Sequence, residues 1–183
     1  SYSGEICYDG NELRQIQTGA LYDMVSLIQQ DVFVFDASIR DNITMFHGFP
    51  KESVDAAIRR SELTGLLLER GEDYRCGENG SGLSGGEKQR ISIARSLLRN
   101  PSVLLADEAT AALDPETAYH VTDSILKLDG LTRIVVTHGL DPALLRRYDG
   151  ILVLKDGVLV ETGTFDDLIR QQNYFYSLYT ILQ

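Results

Sequence analysis

Short apolar runs alternate along this chain with longer stretches of helical periodicity. Ile6 to Tyr8 reads as a strand that stops at Asp9-Gly10, and Met24 to Ile28 as a second strand. Pro50 opens a run rich in Ala, Leu, Arg and Glu, and Lys51 to Leu68 is expected to be helical. Arg70 to Leu83 carries Gly71, Gly77, Gly80 and Gly82 and reads as loop. Ser84 is a suitable N-cap for a helix from about Gly86 to Leu98, which Asn100-Pro101 brings to a stop. Val103 to Ala106 has the length and apolarity of a buried strand, and Leu131 to Thr137 reads as a strand. Asp114-Pro115 and Asp141-Pro142 each place proline in the first turn of a helix. Ile151 to Leu154 and Val158 to Glu161 flank Lys155-Asp156-Gly157, a hairpin signal. Thr164 caps a last helical region that ends in Tyr174, Phe175, Tyr176 and Tyr179. Strands alternating with helices predict an α/β domain with a mainly parallel sheet.

The chain has 183 residues, enough for one domain with a real core. It is 43% hydrophobic and 24% charged, an ordinary globular composition that argues against disorder. Its net charge of -10, with no basic cluster to offset it, argues against nucleic acid as a partner. The acidity leaves a nucleotide ligand possible, because local amides, a metal ion and one or two cations can bind a polyphosphate. The closing aromatic stretch has no interleaved basic residues and reads as packing surface. Cys7 and Cys76 form neither a metal-ligand spacing nor a disulfide framework, in keeping with a reducing compartment. No apolar run reaches the ~18 residues of a membrane span, so any membrane attachment is expected from elsewhere.

Three places carry chemistry. Leu83 to Arg90 (Leu-Ser-Gly-Gly-Glu-Lys-Gln-Arg) sets a hydroxyl and two glycines at a helix N-terminus, where free backbone N–H groups can receive an anion. The same residues also suit a plain glycine-rich turn before a capped helix. Ser102 to Glu108 delivers two adjacent carboxylates at the C-terminal end of an apolar strand, where α/β sheets place their ligands. Asp107 offers a hard oxygen suited to Mg²⁺, and Glu108 a base for an attacking water; a solvated Asp-Glu pair is the other reading. His138 ends the strand Leu131 to Thr137 and can face the same crevice, or serve structure alone.

In this order and spacing, the residues resemble the ATP-binding cassette (ABC) family. Leu83 to Arg90 looks like its signature motif, and Val103 to Glu108 like its Walker B strand with the catalytic carboxylate. Ala111-Ala112-Leu113-Asp114 resembles the D-loop, with Ala111 where Ser is usual. His138 resembles the switch histidine, followed by Gly139 in place of the usual Arg, and Gln30 the Q-loop glutamine. Asp31 to Phe35, Ser38 to Ile43 and Gly77 to Gly80 are similar to segments of the exporter branch.

The resemblance implies a P-loop NTPase-like ATPase fold with a helical subdomain at about 36–98 that carries the signature, the remainder belonging to the catalytic core. It implies ATP and Mg²⁺ as cofactors. Asp107 and Gln30 would hold the metal, Glu108 would activate water, and His138 would steady the γ-phosphate. Ser84, Gly85 and Gly86 would serve nucleotide held by a second cassette, of the same or another chain, and Asp114 would link the two sites. Transmembrane domains, on the same parent polypeptide, would be the other partner, at the cytoplasmic face of the membrane. An ABC ATPase of the chromosome-maintenance or ribosome-acting kind is the alternative; the exporter-like segments and the acidity argue against it.

No G-x-x-x-x-G-K-[ST] stretch occurs, and Lys51, Lys88, Lys127 and Lys155 all lie outside such a pattern. The resemblance therefore implies an N-terminally truncated cassette whose phosphate loop precedes Ser1, and a chain that by itself turns over no ATP. It also implies a gap, because the strand feeding that loop would lie between Leu131 to Thr137 and Ile151 to Leu154. Those two strands are expected to close onto each other or to admit a strand from a neighbouring molecule.

Overall fold

The computed structural model describes residues 3–181. The chain opens with an antiparallel pair, β1 (Cys7–Tyr8) and β2 (Asn11–Glu12). Asp9 and Gly10 sit between them at φ 46 and φ 81. Positive φ at both central residues matches the twist of a two-residue hairpin, so Asp9-Gly10 joins two strands where the sequence reading saw only the end of one. Helix α1 (Thr18–Met24), which the sequence reading missed, runs directly into β3 (Val25–Ile28). The expected strand thus gives up Met24 to the helix.

The helices that follow enclose an apolar core of their own. They are α2 (Ile39–Thr44), α3 (Lys51–Arg60), α4 (Thr64–Arg70) and α5 (Gly85–Leu98). The single helix expected over Lys51 to Leu68 is in fact α3 and α4. The hydroxyl of Ser61 donates back to the carbonyls of Ala57 and Ile58, and Glu62 turns to φ 56. A hydroxyl that bonds its own preceding turn competes with continuation of the helix. The glycine-bearing stretch from Arg70 to Leu83 is mostly loop, with a 3-10 turn at Glu78–Gly80 and a bridge from Arg75 to Ser38.

Helix α5 joins this core to the sheet. Its Ile91, Ala94 and Leu98 pack with Val34, Ile39, Ile43, Val54 and Leu63. Its Ile93 and Leu97 pack with Ile28, Leu104, Val121 and Ile125. Full burial of an Ile or Leu contributes ~1.5–3 kcal/mol. A helix buried along two faces is therefore held firmly against both layers. The capping box at its start, Ser84 with Glu87, fixes where the helix begins.

Strands β4 (Val103–Asp107) and β5 (Thr132–Val136) complete a three-stranded parallel sheet in the order β3-β4-β5. Asp107 pairs in register with Val136, so β4 and β5 end level with each other. Helix α6 (Pro115–Leu126) is capped by Asp114, and the short α7 (Pro142–Leu145) by Asp141. The C-terminal region is the antiparallel pair β6 (Ile151–Lys155) and β7 (Val158–Gly163), followed by α8 (Phe165–Gln171) and α9 (Tyr174–Ile181). Val153, Phe165, Leu168 and Phe175 bury together with Leu145.

Among the described residues, strands β5 and β6 do not close onto each other: β5 ends one sheet, and β6 pairs only with β7. Val153 of β6 packs with Phe165 and Leu168 of α8 and with Phe175 of α9. Within the chain, the expected closure does not occur. Ile134, Val136, Leu152 and Leu154 remain exposed along these strands. None of the described helices is long and apolar enough to cross a membrane.

Candidate functional site

The C-terminal ends of β3, β4 and β5 bring Gln30, Glu108 and His138 together. β4 finishes at Asp107, and Glu108 follows in the left-handed region at φ 47. Its N–H donates to the carbonyl of Val136 at 3.0 Å, which ties the turn to the neighbouring strand. A carboxylate residue in that conformation is uncommon, and such strain gathers at functional sites. Gln30 Nε2 donates to Glu108 Oε2 at 3.1 Å. His138 Nε2 lies 3.0 Å from Glu108 Oε1. Both carboxylate oxygens are thus held, one from each adjacent strand end. Glu108 is three-quarters covered, whereas His138 is 85% exposed and has room to turn outward.

Asp107 stands beside this trio and is exposed. With Nε2 of Gln30 given to Glu108, the amide oxygen of Gln30 is the remaining acceptor on that side chain. The two residues supply hard oxygen donors, the type Mg²⁺ takes when substrate phosphates complete its shell. Among the described residues, no group of three or more His, Cys, Asp or Glu is placed to hold a metal by itself.

The N-terminal turn of α5 is a second feature. Ser84 Oγ accepts from Glu87 N at 3.3 Å, and Glu87 Oε2 accepts from Ser84 N at 2.6 Å. These two bonds use the amides of Ser84 and Glu87. The amides of Gly85 and Gly86 belong to the first turn, which has no intrahelical acceptor for them. A Cβ at Gly86 would lie 3.2 Å from the carbonyl of Ala112 and 3.4 Å from Leu113 Cδ2, so a larger residue would have to push the 111–114 loop back slightly. No hydrogen bond among the described residues joins Ser84, Gly85 or Gly86 to Gln30, Glu108 or His138. The link is indirect: Gln89 Nε2 donates to the carbonyl of Gln29, from one turn further along α5.

Asp114 closes the same loop. Its Oδ1 accepts from Thr117 N at 3.0 Å as the cap of α6. The hydrogen bonds from Thr117, the backbone one first, hold its carboxyl below the usual carboxylate value, with Arg90 a lesser contributor. In this structure its carboxylate serves the helix. Arg70 and Tyr74 border the α5 turn through the Gly82 carbonyl and were not singled out in the sequence. Lys88 Nζ donates to the carbonyl of Asn79 at 2.9 Å. A lone Arg at a helix end carries no pattern, so nothing in the sequence marks Arg70.

The family model for ABC transporters matches residues 1–111. YgaD of Bacillus subtilis (strain 168), by its name a multidrug export ATP-binding/permease protein, is 36% identical over 185 residues. The match takes in 98% of this chain and 31% of that protein. A protein of the same description from Staphylococcus aureus (strain N315) matches with the same identity and coverage. The solved structure of a bacterial Atm1-family ABC exporter with ATP bound superposes with a TM-score of 0.91 at 32% identity, covering 99% of this chain and 32% of that one. This chain therefore spans about a third of the length of its relatives. Motif order, fold and sequence identity agree: the chain belongs to the ABC transporter family.

Proposed function

We propose that this chain acts as one of a pair of ATP-hydrolysing cassettes in an exporter, at the cytoplasmic face of the membrane and joined to transmembrane domains on the same polypeptide. The observation that carries this reading is the Glu108 carboxylate, held between Gln30 and His138 where three parallel strands end. Relatives whose names describe multidrug export ATP-binding/permease proteins support the exporter setting.

In this reading Glu108 is the base that takes a proton from, or orients, the attacking water. Its strained backbone and its contact with Val136 O fix where the carboxylate points. His138, exposed and hinged at the end of β5, leaves Glu108 to donate to the terminal phosphate. That movement frees one carboxylate oxygen for water. Gln30 keeps the other oxygen and so preserves the orientation. Asp107 and the amide oxygen of Gln30 would hold Mg²⁺, which when bound supplies screening of phosphate charge. Gly85 and Gly86 present their amides to the γ-phosphate of nucleotide carried by the opposite cassette, and Asp114 stands at the junction between the two sites.

A two-cassette transporter with separately marked halves tests the cross-chain arrangement. With Gly86→Asp on one half and Glu108→Gln on the other, both defects fall in one composite site and the second site stays whole. With both substitutions on the same half, each composite site is damaged. Single-turnover hydrolysis is expected from the first arrangement and not from the second. The opposite result would mean that the α5 turn serves nucleotide on its own chain.

A further inference from the structure

The α5 turn carries an acid of its own. Glu87 caps the amide of Ser84 and thereby sets a carboxylate at the end of the helix that is to receive a polyphosphate. The helix dipole favours one negative group there, and a second one must compete with it. Arg70, the last residue of α4, meets that acid from the other side. Its Nη2 lies 3.6 Å from Glu87 Oε1. Its Nη1 donates to the carbonyl of Gly82 at 2.8 Å, just before the turn. The guanidinium stacks over the ring of Tyr74, 5.0 Å from the centroid, and Tyr74 Oη donates to the same Gly82 carbonyl at 3.3 Å. A Cβ at Gly82 would lie 2.8 Å from Tyr74 Oη, so a side chain there would displace the Tyr74 hydroxyl from this brace. The Arg70 and Glu87 side chains are 27% and 14% exposed, which shields their interaction from solvent. The other acid near Arg70, Glu69 at 3.7 Å from Nε, is 72% exposed and competes weakly.

We infer that Arg70 is a positioning residue for nucleotide at the α5 turn. It neutralises Glu87, which would otherwise repel the polyphosphate, and together with Tyr74 it fixes the Gly82 carbonyl from which the turn springs. The inference rests on the proposed role of Ser84 to Gly86 toward nucleotide of the opposite cassette.

The test is steady-state ATP hydrolysis by the full-length transporter as ATP is varied. Arg70→Gln is the main variant, because it keeps a donor for Gly82 and removes the charge. Removing one charge beside a partly shielded polyphosphate site is expected to raise the half-saturating ATP concentration ~3- to 10-fold. Glu87→Gln retains an oxygen to cap Ser84 and removes the acid. The Arg70→Gln/Glu87→Gln protein is therefore expected to match Glu87→Gln alone to within about twofold. Arg70→Lys, which keeps the charge, is expected to shift less than Arg70→Gln. A brace without an electrostatic role would give the same loss in both backgrounds, and that result would overturn the inference. So would an unchanged half-saturating concentration in Arg70→Gln. Gly86→Asp in the same assay separates the two levels: if it hydrolyses like wild type, the assignment of the α5 turn to nucleotide is what has failed.

Discussion

Replacing Asn42 by alanine tests the core of the helical layer. Asn42 is fully buried on α2, and its side chain stitches that helix to the segment following Gln30. Its Oδ1 accepts from Phe35 N at 2.8 Å, and its Nδ2 donates to the carbonyls of Phe35 and Ser38, each at 3.0 Å. Arg95 on α5 adds a bond from Nε to the Asn42 carbonyl at 2.9 Å, which a side-chain substitution leaves in place, and a longer one from Nη2 to Asn42 Oδ1 at 3.5 Å, which it removes. Three well-formed side-chain bonds are lost. Each is worth about 1 kcal/mol net, and more where the stranded partner stays buried. The expected destabilisation is ~3 kcal/mol, within ~2–5. Asn42→Asp keeps the acceptor for Phe35 N but sets a carboxylate against two carbonyl oxygens. That arrangement is expected to leave Asn42→Asp less stable than wild type. Urea unfolding followed by far-UV circular dichroism gives the midpoint and slope for each protein. A loss below ~1 kcal/mol in Asn42→Ala at unchanged slope would refute the reasoning, because the three bonds would then be replaceable.

Two further outcomes follow from the structure. Cys76 is fully buried, and burial pushes its thiol above its ordinary value, while Cys7 is exposed. Iodoacetamide at neutral pH is therefore expected to label Cys7 in the native chain and Cys76 only after unfolding, as read by peptide mass; native labelling of Cys76 would contradict the packing. The Asp123 carboxyl is held below its usual value by bonds from Lys127 first and Arg147 second. A depressed folded value means that its contribution is complete above the unfolded value near 3.8 and is lost as pH falls through the folded one. Asp123→Asn should flatten the acid limb of the stability–pH curve below that point and leave its shape near neutrality, and an unaltered acid limb would count against the pairing.

Much of the fold could be read from residues with a local mechanism. Ser84, Asp114-Pro115, Asp141-Pro142 and Thr164 each marked a helix start, because a cap acts within one turn of chain. The apolar strand at Val103 was legible because burial on both faces leaves a continuous apolar run, and β5 by its β-branched Ile134-Val135-Val136, although Ile134 and Val136 stay exposed. What escaped depends on partners distant in sequence. Helix α2 is short and held by Asn42 and Arg95, the latter 53 positions away. The break after Arg60 comes from one hydroxyl and one left-handed residue inside an otherwise helical composition. The meeting of Gln30 with Glu108 spans 78 positions. Motif order suggested it, but only the parallel register of β3, β4 and β5 brings the groups within reach. The brace of Arg70 and Tyr74 on Gly82 had no sequence signal, since its members share no periodicity.

Glu108→Gln in the full-length transporter tests the central claim most directly. The substitution keeps the shape of the side chain and an oxygen to accept from Gln30, and it removes the charge that would take the proton. Turnover is expected to fall ~10²–10⁴-fold. ATP binding, measured by equilibrium titration of the same protein, should stay within about twofold of wild type. Turnover at the wild-type rate in Glu108→Gln would contradict the account, because the carboxylate at the end of β4 would then have no part in the chemistry.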